Sequence, residues 1–174
     1  MIKLLASFGL MFGSMPDSDG WVALDRNVRQ VEDFSQDEER DPSIWVVFSK
    51  RLDKERFMVR FPEDPSYKYL PEGGMEMSSL YGGVSYRLSV FPDYSLQAVE
   101  KKVRELIVQP GVFNVDVSRT ADGVFDILYR QEGKWVETRF YLTSQNFYVL
   151  ETKSEIFHRE NHQKFIASLD VIFT

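Results

Sequence analysis

The sequence predicts an α+β fold, a central antiparallel sheet of about six to seven strands with helices packed on it. Three observations carry that expectation. Runs rich in β-branched and aromatic residues recur from Ser43 onward. The separators Gly82-Gly83, Asp122-Gly123 and Glu132-Gly133 are of hairpin length. Only "DYSLQAVEKKVRELIVQPG" and "SEIFHRENHQKFIASL" replace the strand rhythm with helical spacing.

With 174 residues, 43% of them hydrophobic, the chain is long enough to bury one core. The net charge of −6, with no basic run interleaved with aromatics, removes the phosphate attraction on which nucleic-acid binding rests. The absence of cysteine excludes disulfides, thiolate metal sites, a Cys nucleophile and a lipid-modified cysteine, but not export.

Three segments follow from composition. Residues 1–20 place Lys3, an apolar run from Leu4 to Phe12 and then turn-forming residues in the order of a short export signal. A cut after Ser14 leaves Phe12 where a small residue belongs, so an ordinary apolar N-terminal segment competes with that reading. The run is far shorter than the roughly 20 apolar residues that span a bilayer. Residues 21–42 form an acidic extension, with Leu24, Val28 and Val31 at helical spacing before a solvated linker. An interaction tail is the functional alternative there. Residues 43–174 make a single α+β domain.

Within that domain "IWVVFS" and "RFMVRF" form a first hairpin across "KRLDKE", and Pro62 and Pro65 end its second strand because proline donates no ladder hydrogen bond. The loop "EDPSYKYLPEGGM" then sets Tyr67 and Tyr69 between prolines, where exposed rings offer contact area at little entropic cost. The competing reading folds these rings over an open end of the sheet. "MEMSSLYGGVSYRLSVF" is a second hairpin, turning at Gly82-Gly83. In it Val84, Tyr86, Leu88 and Val90 share a dry face, and Ser85, Arg87 and Ser89 share a wetter one.

Leu96, Val99, Val103 and Leu106 then mark a helix capped by Ser95 and closed by Pro110-Gly111. "FNVDVSRT", "VFDILYRQ", "WVETRFYL" and "FYVLETK" follow as a four-stranded meander. A closing helix over "SEIFHRENHQKFIASL" and a terminal strand or extended tail "DVIFT" complete the chain. Spacing alone does not decide whether the two helices share a face of the sheet.

No cofactor motif is present. Paired glycines in "EGGMEM" and "YGGV" match neither phosphate-loop nor dinucleotide spacing. His158 and His162, four apart with Glu155 one turn earlier, are the metal candidates. Glu160 lies about 160° around a helix from either histidine, which breaks the metalloprotease pattern. Because Phe165 and Leu169 share their stripe, the histidines equally edge a packed face. No nucleophile elbow frames a serine, and Ser85 and Ser89 read as strand residues facing water or cross-strand partners. Asp116 and Asp126 alternate with apolar neighbours, and Glu137 and Arg139 share a strand face suited to a cross-strand ion pair. Nothing marks any two of the 27 acidic residues as a glycosidase pair.

The chain also resembles the PsbP/Mog1-like group. Phe57, Val59, Phe61, Pro62 and Pro65 match its early F-x-V-x-F-P-x-x-P strand, and Tyr148, Val149, Leu150, Phe165 and Ser168 match its late strand and closing helix. The likeness covers Arg56 to Phe173 and implies an α/β/α sandwich around an antiparallel sheet. It also implies a non-enzymatic role as an assembly factor, a subunit of a membrane complex or a regulator that binds another protein. It carries over no functional residue.

The functional expectation is therefore an exported or envelope-associated module that binds another protein or a membrane complex through Tyr67, Tyr69 and the outward sheet edge. A cytoplasmic regulator is the alternative location. Two other classes stay open. One is a carrier of a small apolar ligand held between sheet and helix, for which the 14 phenylalanines supply a lining. The other is a hydrolase gathering His158 or His162 with a carboxylate and a hydroxyl.

Overall fold

The computed structural model describes residues 22–23, 45–121 and 123–173. The expected export-type segment and the helical stripe of Leu24, Val28 and Val31 lie outside these residues. The fold is α+β: a seven-stranded antiparallel sheet, a small second antiparallel sheet and two short helices.

The large sheet has the order β4-β5-β6-β10-β9-β8-β7. Strands β5 (Met75–Tyr81) and β6 (Val84–Pro92) make the hairpin expected at the glycine pair, where Gly82 and Gly83 take φ of 57° and 77°. That pair of positive angles is the demand of a two-residue hairpin turn. Val84, Tyr86, Leu88 and Val90 are buried, as their alternation predicts. Strands β7 (Val112–Ala121), β8 (Val124–Gln131), β9 (Lys134–Leu142) and β10 (Asn146–Ser154) form the predicted meander. The meander joins the hairpin through β10, which runs antiparallel to β6 with Leu150 opposite Leu88.

Helix α1 (Leu96–Ile107) starts at Ser95, whose Oγ accepts from the Ala98 N–H at 3.2 Å. Val99 and Val103 are buried against Phe125, Ile127, Phe140 and Phe147 of the sheet. Residues that alternate with these on the strands face the other way. There Tyr148, Leu150, Tyr86 and Leu88 meet Phe165 and Ile166 of helix α2 (Arg159–Ile166) and the face of the small sheet.

The first hairpin, β2 (Val46–Leu52) and β3 (Glu55–Phe61), does not extend the large sheet. It forms the small sheet with β11 (Asp170–Phe173), in the order β2-β3-β11, and the two-residue β1 (Val22–Ala23) pairs with β2. A helix of eight residues is about 12 Å long, too short to cover its face of a seven-stranded sheet. The hairpin covers the rest, placing Phe57, Val59 and Phe61 in the core. Phe57 packs edge-on to Tyr148 at 5.7 Å, and Phe61 lies 5.0 Å from Phe165.

Two local expectations are corrected. Residues 66–69 are not loop but the edge strand β4 (Ser66–Tyr69), paired with β5. The closing helix is shorter than predicted, because Ser154 still belongs to β10 and its hydroxyl ties off the turn by donating to the Ile156 carbonyl at 2.6 Å. At the other end Ser168 Oγ donates to the Phe165 carbonyl and accepts from the Arg60 N–H. Helix end and small sheet are thereby fastened together.

Candidate functional site

Among the described residues β4 is the outermost strand at one side of the large sheet, and all four of its residues are exposed. Register places Tyr67 opposite Met77 and Tyr69 opposite Met75, so both tyrosines stand on the face that carries the small sheet. They are 58% and 61% exposed, with their rings perpendicular at 6.3 Å. They do not fold back over the core. Lys50 Nζ donates to the Tyr69 hydroxyl at 3.4 Å from the neighbouring β2, and lies 5.2 Å from the ring centre. Pro65 and Pro71 bound the strand, which keeps the edge short.

The α1 face of the large sheet is divided. Helix α1 covers its β8–β9 side, while the β4–β6 side carries polar residues in cross-strand rows. One row runs Lys68, Glu76, Ser89, and the next runs Ser78, Arg87, Glu151, Thr138. Lys68 pairs with Glu76 at 3.0 Å, and Arg87 donates to Glu151 Oε1 while lying 3.8 Å from Glu76. Between this polar field and α1 lies a groove of about 370 Å³. Tyr129 and Thr138 reach its wall, each only 2% exposed. Burial, and then the charge of Glu151, push the Tyr129 phenol up to about 12, so it stays protonated and able to donate.

On the opposite face a cleft of about 330 Å³ opens beside α2, between Asp116, Asp126, Glu137 and Arg159. Arg139 grips Asp126 with two hydrogen bonds, 2.6 and 2.9 Å, across the register predicted for an ion pair on this strand. The expected cross-strand ion pair thus forms between Arg139 on β9 and Asp126, its register partner on β8. The Glu137 carboxyl is raised above its ordinary range, first by burial and then by the charge of Asp126, and its Oε2 is buried without a hydrogen bond.

The histidines separate. His158 is exposed at the start of α2, as is Glu155 before it, whereas His162 is entirely buried. No group of three or more His, Asp or Glu side chains among the described residues is placed to hold a metal ion. His162 sits between Thr152 Oγ1 at Nδ1 and Ser154 Oγ at Nε2, both 2.8 Å. The single Ser154 proton is committed to the Ile156 carbonyl, so Ser154 accepts from Nε2–H and Thr152 donates to Nδ1. Burial pushes the imidazole down to about 4, with His158 adding to the effect. Glu137 Oε2, 3.8 Å from Nδ1, therefore faces a neutral ring at ordinary pH. Histidine, hydroxyl and carboxylate do come together here, but the serine is not poised to give its proton to the histidine, and the ring has no exposed surface.

Glu55 was not singled out from sequence. It is fully buried and receives the Thr143 hydroxyl on Oε1, and Asn146 Nδ2 at 3.0 Å and the Tyr148 hydroxyl at 2.8 Å on Oε2. The available signal was parity, because Glu55 alternates in step with Phe57, Val59 and Phe61. Its donors lie 88 to 93 residues away, which no local pattern reveals.

The chain matches no family model and no curated protein. No helix among the described residues is long and apolar enough to cross a membrane.

Proposed function

We propose that this chain is a non-enzymatic binding module that receives an extended segment of a partner protein along the outer edge of β4, with Tyr67 and Tyr69 as the anchoring side chains. The observation that carries this reading is the exposure of every residue of an edge strand that holds two tyrosines on one face. Strand addition supplies affinity through main-chain hydrogen bonds, and alternate side chains supply selectivity. Tyrosine suits the second task, since it buries a large rigid ring and keeps a polar tip. Four residues bounded by prolines limit the partner to a short segment. Such an edge resists open-ended self-association.

The enclosure of His162 supports the non-enzymatic part of the reading. The PsbP/Mog1-like resemblance supports a protein or membrane-complex partner, with α1 and α2 on opposite faces of the sheet as an α/β/α sandwich requires, and the export-type order of residues 1–20 supports an exported or envelope-associated location. The test is a photo-crosslinking residue placed at Tyr67 in the native cell, followed by mass spectrometry and titration of the captured partner. Tyr67→Ala and Tyr69→Ala should each weaken that partner about tenfold. Unchanged affinity in both variants would overturn the proposal.

A further inference from the structure

The large sheet has a second edge that the β4 reading does not use. Among the described residues β7 is its outermost strand on the side away from β4. It is 10 residues long, and all but the first are exposed. Shortness and flanking prolines protect β4, whereas β7 contains neither proline nor lysine. Register shifts at Phe113/Asp116 and Arg119/Ala121 bend its two ends. The stretch Asp116–Arg119 between them keeps regular register with β8 and turns its outer main-chain groups to solvent.

The side chains of that stretch divide between two faces. Val117 stands opposite Ile127, which is buried beneath α1, yet Val117 itself is 43% exposed. Asp116 and Ser118, both exposed, stand opposite Leu128 and Asp126 on the other face.

A second copy of β7 fits this edge in one register. A two-fold axis perpendicular to the sheet makes the strands antiparallel and keeps each face on its own side, so opposed residues must share parity. An axis at Asp116 sets carboxylate against carboxylate, and an axis at Arg119 sets guanidinium against guanidinium, both unfavourable. An axis at Ser118 opposes Val117 to Arg119 and draws Thr120, inside the second register shift, into the ladder. An axis at Val117 opposes the two valines and sets Asp116 of each copy against Ser118 of the other. Each carboxylate then receives a hydroxyl donor, and all three pairs stay within the regular stretch.

We propose that the chain forms a two-fold homodimer through β7, with Val117 on the axis, joining two seven-stranded sheets into one continuous sheet. The contact is closed, because each copy spends its β7 once. It leaves β4 at both outer ends, and it stands whether or not β4 binds a protein. So short a ladder makes a weak dimer, with a dissociation constant of about 10–100 µM.

The test is sedimentation equilibrium of the full chain from about 1 to 500 µM, with backbone amide spectra recorded over the same dilution. A reversible monomer–dimer equilibrium is expected, with dilution shifts at Asp116–Arg119 and none at Ser66–Tyr69. Val117→Lys opposes two ammonium groups at the axis and should weaken the dimer at least about tenfold, while its melting temperature stays near wild type. Because the sequence has no cysteine, a single introduced thiol reads the register. Residues opposed at the axis have Cβ atoms about 4.5–5.5 Å apart, close to disulfide reach, whereas Ser118 and its copy are diagonal at about 7–8 Å. Val117→Cys should therefore oxidise to a covalent dimer with copper phenanthroline at least about tenfold faster than Ser118→Cys. A monomer throughout, dilution shifts confined to β4, a dimer indifferent to Val117→Lys, or equally fast oxidation of the two cysteine variants would overturn the proposal.

Discussion

The Tyr148 hydroxyl donates to the Glu55 carboxylate at 2.8 Å, across the interface where the small sheet lies on the large one. One residue opens β3 and the other is near the start of β10, so this bond, with those from Thr143 and Asn146, staples the two sheets at one end. Tyr148 is correspondingly raised far above the usual phenol range, by burial first and by Glu55 next.

Tyr148→Phe keeps the ring against Phe57 and removes only this hydrogen bond. A bond to a buried carboxylate contributes about 1.5–3 kcal/mol. The expected outcome is a lower urea midpoint with an unchanged slope. A midpoint equal to wild type would show that the staple contributes nothing.

Gly74 should not tolerate alanine. A Cβ there would stand 2.7 Å from the Val90 carbonyl oxygen and 2.9 Å from the Phe91 ring, and backbone cannot yield as a flexible side chain does. Crowding of this kind costs about 1–3 kcal/mol. Gly74→Ala should therefore lower the melting temperature, while Gly73→Ala, with open space but φ of 83°, reports backbone strain alone.

Acid should weaken the fold through His162. Its ordinary value of 6.5 falls to about 4 in the folded chain, so between those values the unfolded chain holds the extra proton. The stabilisation is complete above about 6.5 and is lost as pH falls toward 4, in all on the order of 3 kcal/mol. Ring resonances of His162 that titrate near 6.5 in the folded protein would contradict this.

Glu137 has the opposite sign. Its folded value is raised, so the folded chain holds the extra proton, and stability declines as pH rises through that value. Glu137→Gln should therefore be more stable than wild type at neutral pH, with the advantage shrinking in acid below the ordinary glutamate range. A neutral-pH melting temperature at or below wild type would refute it.

Both tyrosine variants should leave the fold intact. Tyr67 and Tyr69 are more than half exposed, and surface changes of this kind stay within about 0.5 kcal/mol. Chemical denaturation of Tyr67→Ala checks this, and a large loss would make the rings structural.

The sequence by itself determined what neighbouring residues decide among themselves. The dry face of β6, the two-glycine turn before it, the Ser95 cap with Val99 and Val103 beneath it, and the strands of the meander were all legible, because period, capping and turn geometry act over two to four positions. Tertiary structure alone decided where those pieces went. It set β10 beside β6, turned the first hairpin into a second sheet, and made a strand of Ser66–Tyr69, which is short, bounded by prolines and templated only by β5. It also buried Glu55 and His162 while leaving His158 outside. A strand-sized run carries no mark of which distant strand will pair with it, and a polar residue's burial depends on donors and acceptors supplied from far along the chain. The physical reason is that one-dimensional periodicity reports which face is apolar, whereas partners are chosen by whatever else must cover that face.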